Sequence, residues 1–477
     1  MTITEYKSRY LFAFFGALFI VVTGAAVYTE NYFGVLIPFS ALLFYAGWHW
    51  RSGLFFLLLA TLPFSFEYNF SSGLGTDIPD EFLMLLVSVL FFAYFLYAPK
   101  SLSKDIKRHP LLFLLILLSG WMLITVIFST HQLISAKYFL AKVWYLGAFV
   151  LAPLIVLKSK KSITTAFIVL AGSMLLAAII ILCRQFGDGF SFARINIAVS
   201  PFFRNHVNYS AMLVCMLPVL VAFFQLCPKR KIKLGLVGAI ILVITALFFS
   251  YARGAWLALL VGVIAYWLIN KRLLFYSFIT AIIITAALFF WLKGNDRYLQ
   301  FAPDFKTTIF HKNFNEHLIS TYQLKDVSTA ERFYRWIAGV RMIKDNGLTG
   351  YGPNTFYDNY KGYAVPAYKT WVSDNPEHST VHNYFLLTAI EQGLPGLFFF
   401  LLLLGGMFYY AQHLYHRLKE PFYKAVSMAT GVILTMIVAV NFLSDLIETD
   451  KIGSLFFLCF SMLIVTDRLS RKESAPL

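Results

Sequence analysis

Runs of Leu, Ile, Phe, Val and Ala alternate with short polar connectors along almost the whole chain. A helix needs about 20 apolar residues to cross a ~30 Å hydrocarbon core, and roughly fourteen runs approach that length. They lie at about 10–28, 32–47, 53–66, 82–98, 111–129, 139–157, 162–183, 209–226, 232–249, 254–269, 273–292, 394–412, 423–442 and 452–466. The run at 53–66 is short and ends at Pro63, so twelve is the alternative count. One polar segment breaks the rhythm. Lys293 to Gly396 is long, rich in aromatic residues and flanked by apolar runs, which makes it the one segment long enough to fold outside a bilayer. The pattern divides the chain into N-terminal transmembrane helices at 1–292, a large loop at 293–393 and C-terminal transmembrane helices at 394–477. The predicted fold class is an all-α polytopic membrane protein with about 12–14 transmembrane helices and one large loop that contains helices of its own.

Composition agrees with this reading: 59% of the 477 residues are hydrophobic and 18% aromatic, with a mean hydropathy of +0.69, far above a soluble domain. The net charge of +16 changes the picture more, because of where the charges sit. Lys100, Lys104, Lys107 and Arg108 follow the fourth run, Lys158, Lys160 and Lys161 the sixth, and Lys229, Arg230, Lys231 and Lys233 the eighth. Arg51, Lys271 with Arg272, Arg417 with Lys419 and Lys424, and Arg468 with Arg471 and Lys472 also follow even-numbered runs. Basic connectors stay on the cytoplasmic side. Both termini are therefore expected in the cytoplasm, and the long loop on the outer side of the membrane. Lys7 and Arg9 precede the first run, which reads as an uncleaved signal-anchor because further spans follow. No basic stripe with interleaved aromatics lies outside the connectors, which argues against nucleic acid as a partner.

Inside the long loop, Ser328-Thr329-Ala330-Glu331 has the form of a capping box. Phe333, Trp336, Ile337, Val340 and Ile343 follow at helical spacing, and Asn346-Gly347 is a stop signal. This helix is expected to lie on the membrane surface or to pack against the spans. Gly350 to Asn354 reads as a turn. A second helix is expected to begin at Ser379 or Thr380 and to run to Gln392, with Gly393 ending it.

The candidate chemistry gathers in the outer connectors. His382 would sit in the first turn of that second helix, where the dipole disfavours imidazolium and leaves the ring able to accept a proton. Arg253, in Ser250-Tyr251-Ala252-Arg253-Gly254-Ala255, stands at a span end, where its planar fork suits a phosphate or pyrophosphate. Snorkelling to lipid headgroups is the plainer account. Arg204 and Arg194 precede the eighth span, and Arg335 lies on the loop helix with Arg332 and Arg341. Tyr351, Phe356, Tyr357, Tyr360, Tyr363, Tyr368 and Trp371 supply flat rings that stack on sugars or anchor at the interface. There is no GxxxxGKS loop and no HExxH, so nucleotide hydrolysis and zinc chemistry are not expected. The cysteines Cys183, Cys215, Cys227 and Cys459 lack metal spacing. Asp77, Asp80 and Glu81 lack a DxD pair and read as a solvated loop; no metal and no cofactor are called for.

At these residues the chain resembles the O-antigen ligase family, grouped with Wzy-type polysaccharide polymerases. The pieces are Arg204 to Ala211, Ser250 to Ala255, Arg335 with Gly350-Tyr351-Gly352, and His382-Asn383 with Gly393 and Gly396, the signature HN-x9-G-x-x-G. The resemblance implies a GT-C-like membrane glycosyltransferase, inverting and metal-independent. Its donor would be a glycan on undecaprenyl pyrophosphate, and its acceptor the lipid A-core oligosaccharide. On that template His382 and Arg253 are catalytic: the imidazole deprotonates the acceptor hydroxyl and the guanidinium neutralises the pyrophosphate. Arg204, Arg194, Arg335, Asn383 and Asn208 would bind substrate. A polymerase that takes a second lipid-linked glycan as acceptor is the alternative, and a lipid-linked glycan transporter the second one.

Overall fold

The computed structural model describes residues 43–71, 74–294, 327–365 and 378–474, with isolated residues beside them such as Ser373 and Asn375. The larger part of the expected spans at 10–28 and 32–47 lies outside the described residues. Among the described residues, eleven helices are long and apolar enough to cross a membrane. After a shorter apolar helix, α1 (Arg51–Thr61), come α2 (Asp80–Tyr97), α3 (Pro110–Ile127), α4 (Gln132–Val156) and α5 (Lys160–Gly187). Next are α6 (His206–Leu226), α7 (Arg230–Phe249), α8 (Arg253–Asn270) and α9 (Leu274–Lys293). The loop helix α10 (Val327–Asp345) precedes α11 (Tyr384–Arg417), α12 (Pro421–Asn441) and α13 (Asp450–Ser474). Each long apolar helix coincides with an expected run from 82–98 onward. The chain is an all-α, multi-pass membrane protein.

One departure from all-α is a hairpin. Phe66–Ser71 (β1) pairs antiparallel with Leu74–Ile78 (β2), Glu67 opposite Asp77 and Tyr68 opposite Thr76. The stretch Phe66-Glu67-Tyr68-Asn69-Phe70 alternates apolar and polar residues with the period of a strand.

The helices are not equivalent. The apolar stretch of α13 is 94% buried and that of α12 78%, against 6% for α9, so α12 and α13 form the centre and α9 faces outward. A helix that is apolar all round belongs either in a core or in lipid. α13 is selected for the core by small hydroxyls: buried Ser461 donates to the Phe149 carbonyl at 2.7 Å. That carbonyl lies in the π turn Gly147–Leu151 of α4; such turns loosen the backbone ladder. α8 runs antiparallel to α12, since Gly262 abuts Met436 and Gly431 abuts Ile269.

The loop helix α10 packs inward. Tyr334, Ala338 and Met342 share a small core with Tyr351, Phe356, Tyr360, Val381, Leu387 and Ile390. Each such side chain contributes about 1.5–3 kcal/mol when taken from water. Of the two expectations for this helix, packing against a span is the one realised.

Candidate active site

The segment that leads into α11 does not start its helix where expected. Helix α11 begins at Tyr384, and Asn383 is its N-cap, with Oδ1 accepting from the Leu386 N–H at 2.9 Å. Asn is a favoured cap because its oxygen replaces a missing carbonyl. His382 therefore precedes the cap and adopts φ +52°, uncommon for a residue with a side chain. The surroundings hold this backbone from several sides. Arg335 Nη1 donates to the Thr380 carbonyl at 3.0 Å and Trp336 Nε1 to the Val381 carbonyl at 2.9 Å. Asn383 Nδ2 donates to the Phe442 carbonyl and the Tyr384 N–H to the Ser444 carbonyl, both at 3.0 Å. Helix α10 thus grips one side of the His382 segment, and the chain leaving α12 grips the other.

The far end of the motif is a break within α11. Gly393 has φ 70° and ψ 177°, outside helical space and open essentially to glycine alone. A helix without the break would bond Leu394, Pro395 and Gly396 back to Ile390, Glu391 and Gln392. Here those three carbonyls have other donors. Ile390 accepts from the Tyr351 N–H at 3.0 Å, Glu391 from the Gly352 N–H at 2.9 Å and Gln392 from Trp121 Nε1 at 2.8 Å. The Leu394 N–H donates in turn to the Gly347 carbonyl at 2.8 Å, while Pro395 has no N–H to place. The buried Glu391 carboxylate accepts from the Asn354 and Phe356 N–H groups at 2.9 and 3.1 Å. The Gly350-Tyr351-Gly352 turn and the Gly393 break are therefore two halves of one clasp.

Between these anchors His382 is left half-buried, its ring facing Asp445. Nδ1 lies 3.6 Å from Asp445 Oδ1, with side chains 36% and 18% exposed. Thr380 Oγ1 donates to the other carboxylate oxygen. Burial pushes the Asp445 carboxyl up, but the His382 ring and the Thr380 hydroxyl outweigh it and hold it below its ordinary value. At 3.6 Å the two groups stand at ion-pair rather than hydrogen-bond distance, and a carboxylate facing one ring nitrogen favours the tautomer protonated there and leaves the second nitrogen for chemistry.

The cationic candidates are distributed around the same end of the bundle. Arg253 opens α8 and is half-buried. The antiparallel register of α8 on α12 brings it level with the connector that carries Asp445. Arg204 is exposed beside buried Phe203, and Arg194 is exposed and paired with Asp188 at 3.0 Å. Asn208, near the start of α6, is buried, and its Oδ1 has no hydrogen-bond partner. Arg335 directs its fork at Glu331 and Thr380, so its visible contacts serve the backbone before His382. Tyr351, Phe356 and Tyr360 are buried in the loop core, which leaves less of the aromatic set open to a sugar; Tyr368 and Trp371 lie outside the described residues.

This arrangement carries a half-exposed imidazole facing a carboxylate, with guanidinium groups at the same end of a membrane bundle. Residues 238–401 match the model of a protein family described as O-antigen ligase. Over that stretch, about a third of the chain, the protein is similar to the O-antigen ligase family. The matched span contains Arg253, Arg335, His382, Asn383 and both halves of the glycine clasp; Arg204 and Asp445 fall outside it. No curated protein matches the chain.

Asp445 and Thr380 are candidate site residues that sequence reasoning missed. Asp445 stood in an outer connector with no motif around it, and only the docking of the 442–449 connector on the start of α11 brings it to the imidazole. A carboxylate in a connector on the same side as His382 was the available signal.

Proposed function

We propose that the protein is an inverting, metal-independent glycosyltransferase that moves a glycan from undecaprenyl pyrophosphate to a hydroxyl of the lipid A-core oligosaccharide. The single observation that carries this reading is the His382–Asp445 pair, whose histidine lies in the family-matched segment. In the reaction, Asp445 holds the Nδ1–H and His382 Nε2 takes the proton from the acceptor hydroxyl. That oxygen forms its bond to the anomeric carbon from the face opposite the pyrophosphate, and the carbon–oxygen bond to pyrophosphate breaks with its electron pair on the phosphate. Arg253 and Arg204 offset the charge that collects there, and the proton on His382 passes to water. The same reading puts both termini in the cytoplasm of an inner membrane and the 293–393 loop in the periplasm.

His382→Ala tests it. With purified protein, lipid-linked donor and lipid A-core acceptor, transfer should fall by about 10²- to 10⁴-fold, the usual worth of a general base. Undiminished turnover in a folded variant removes the assignment. The polymerase alternative predicts that a second lipid-linked glycan replaces lipid A-core as acceptor in the same assay.

A further inference from the structure

The acidic connector expected to be solvated is not. The hairpin β1–β2 folds down beside the start of α13, and Asp80, the first residue of α2, is completely buried. Asp77, Asp80 and Asp450 each place one carboxylate oxygen within 4.8 Å of the others. Glu81 is already engaged with the Thr76 hydroxyl and the Asp77 N–H. Within Asp80, Oδ1 accepts from the Glu81 N–H at 3.0 Å, while Oδ2 is buried without a partner, the nearby Ser65 hydroxyl being spent on the Leu62 carbonyl at 3.1 Å. A buried carboxylate oxygen without a donor is costly unless a cation meets it.

One cation is present beside the group. Lys451 is buried there, but its ammonium donates to the Ser65 carbonyl at 3.2 Å and to the Ser65 hydroxyl. Three carboxylates against one ammonium leave excess negative charge around buried Asp80, with Asp77 and Asp450 half-buried beside it. Asp77 and Asp450 also lie within side-chain hydrogen-bond reach of each other. A proton shared by those two would satisfy that pair and still leave Asp80 Oδ2 unmet. A divalent cation satisfies all three at once.

We propose that Asp77, Asp80 and Asp450 bind one hard divalent cation of Ca²⁺ size, which ties the hairpin to the starts of α2 and α13. Ca²⁺ takes carboxylate oxygens at about 2.3–2.6 Å, so two ligands of one ion stand up to about 5 Å apart; Mg²⁺, at about 2.0–2.1 Å, tolerates only about 4 Å. Water completes the shell. The cation is structural. It braces the segment that carries Arg204, because Lys451 Nζ stands 5.2 Å from the Phe203 ring, and it takes no part in the proton transfer at His382.

The test uses the full chain in detergent, stripped with chelator and titrated with Ca²⁺ or Mg²⁺. Equilibrium dialysis should find one Ca²⁺ per chain with a dissociation constant of roughly 10⁻⁴–10⁻³ M, the range of extracellular sites. The melting midpoint should rise by about 2 °C or more at saturating Ca²⁺. Asp80→Asn and Asp450→Asn should lose both responses, and half-buried Asp77→Asn serves if either fails to fold. Wild-type protein without binding or shift overturns the proposal in favour of a shared proton. Equal responses in the folded asparagine variants overturn it as well. Because the readouts are binding and melting, their failure says nothing against the transfer reaction.

Discussion

The two ends of the HN-x9-G-x-x-G motif make opposite demands on the chain. At Gly393 everything is backbone: three carbonyls freed by the break are taken up by Tyr351, Gly352 and Trp121, and a Cβ on Gly393 would collide with the Leu348 carbonyl. At His382 the backbone is pinned just as firmly, yet the side chain is left half exposed with Asp445 as its charged neighbour. One end closes every hydrogen bond it opens. The other holds a reactive group still and leaves one face of it free. A sequence signature can thus combine residues kept for shape with residues kept for chemistry, and substitutions separate the two.

The largest effect expected on the shape side is Gly393→Ala. A non-glycine residue at φ 70°, ψ 177° costs of order 1–3 kcal/mol in strain alone, and the collision with Leu348 adds to it. Thermal unfolding in detergent should show a loss of about 3 kcal/mol or more, with transfer lost only as the folded fraction falls. If the variant melts like wild type, the clasp is not the reason for the glycine.

The chemical side is sharpened by Asp445→Asn, which keeps the shape and removes the charge. Turnover should fall roughly tenfold or more, as part of the general-base contribution, with the Michaelis constant little changed. Stability supplies an independent readout. The Asp445 carboxyl is held below its unfolded value of about 3.9. Its contribution is therefore fully present above that pH and disappears as the pH falls through the depressed folded value. The melting difference between wild type and Asp445→Asn should be open at neutral pH and close in acid. A difference that stays constant across that window would show that Asp445 acts through packing rather than charge.

The spans were legible because an apolar run of membrane length admits few other readings, and every described long apolar helix from Asp80 onward lies on one. The loop helix was legible from its 3.6-residue stripe. What escaped was contact between connectors. No local pattern says that the turn at Gly350 fills the break at Gly393, or that Asp445 faces His382. The start of α11 was misplaced because Ser379 and Thr380 are as good caps as Asn383 in sequence. The choice fell to Asn383 because Arg335 and Trp336 occupy the Thr380 and Val381 carbonyls from α10. Likewise Asp80 reads as solvated until the hairpin and α13 enclose it.

Arg253→Lys asks whether the open side of the site works by shape or by charge alone. Arg253 begins α8 at the level of the Asp445 connector, and a guanidinium there can meet two oxygens of a pyrophosphate at once, whereas an ammonium meets them as a point charge. If the fork is used, Arg253→Lys should lower turnover by roughly tenfold, about 1.4 kcal/mol, with unfolding unchanged. Snorkelling requires only a long cationic side chain at a helix end, so on that account lysine restores full activity. The comparison is sharpest with Arg194→Lys as a control. Arg194 is exposed and already paired with Asp188, an arrangement worth about 0–1 kcal/mol, so its substitution should leave transfer within about twofold of wild type. Equal losses at both positions, where the charge is kept, would mean that the loss is not specific to the guanidinium fork of Arg253.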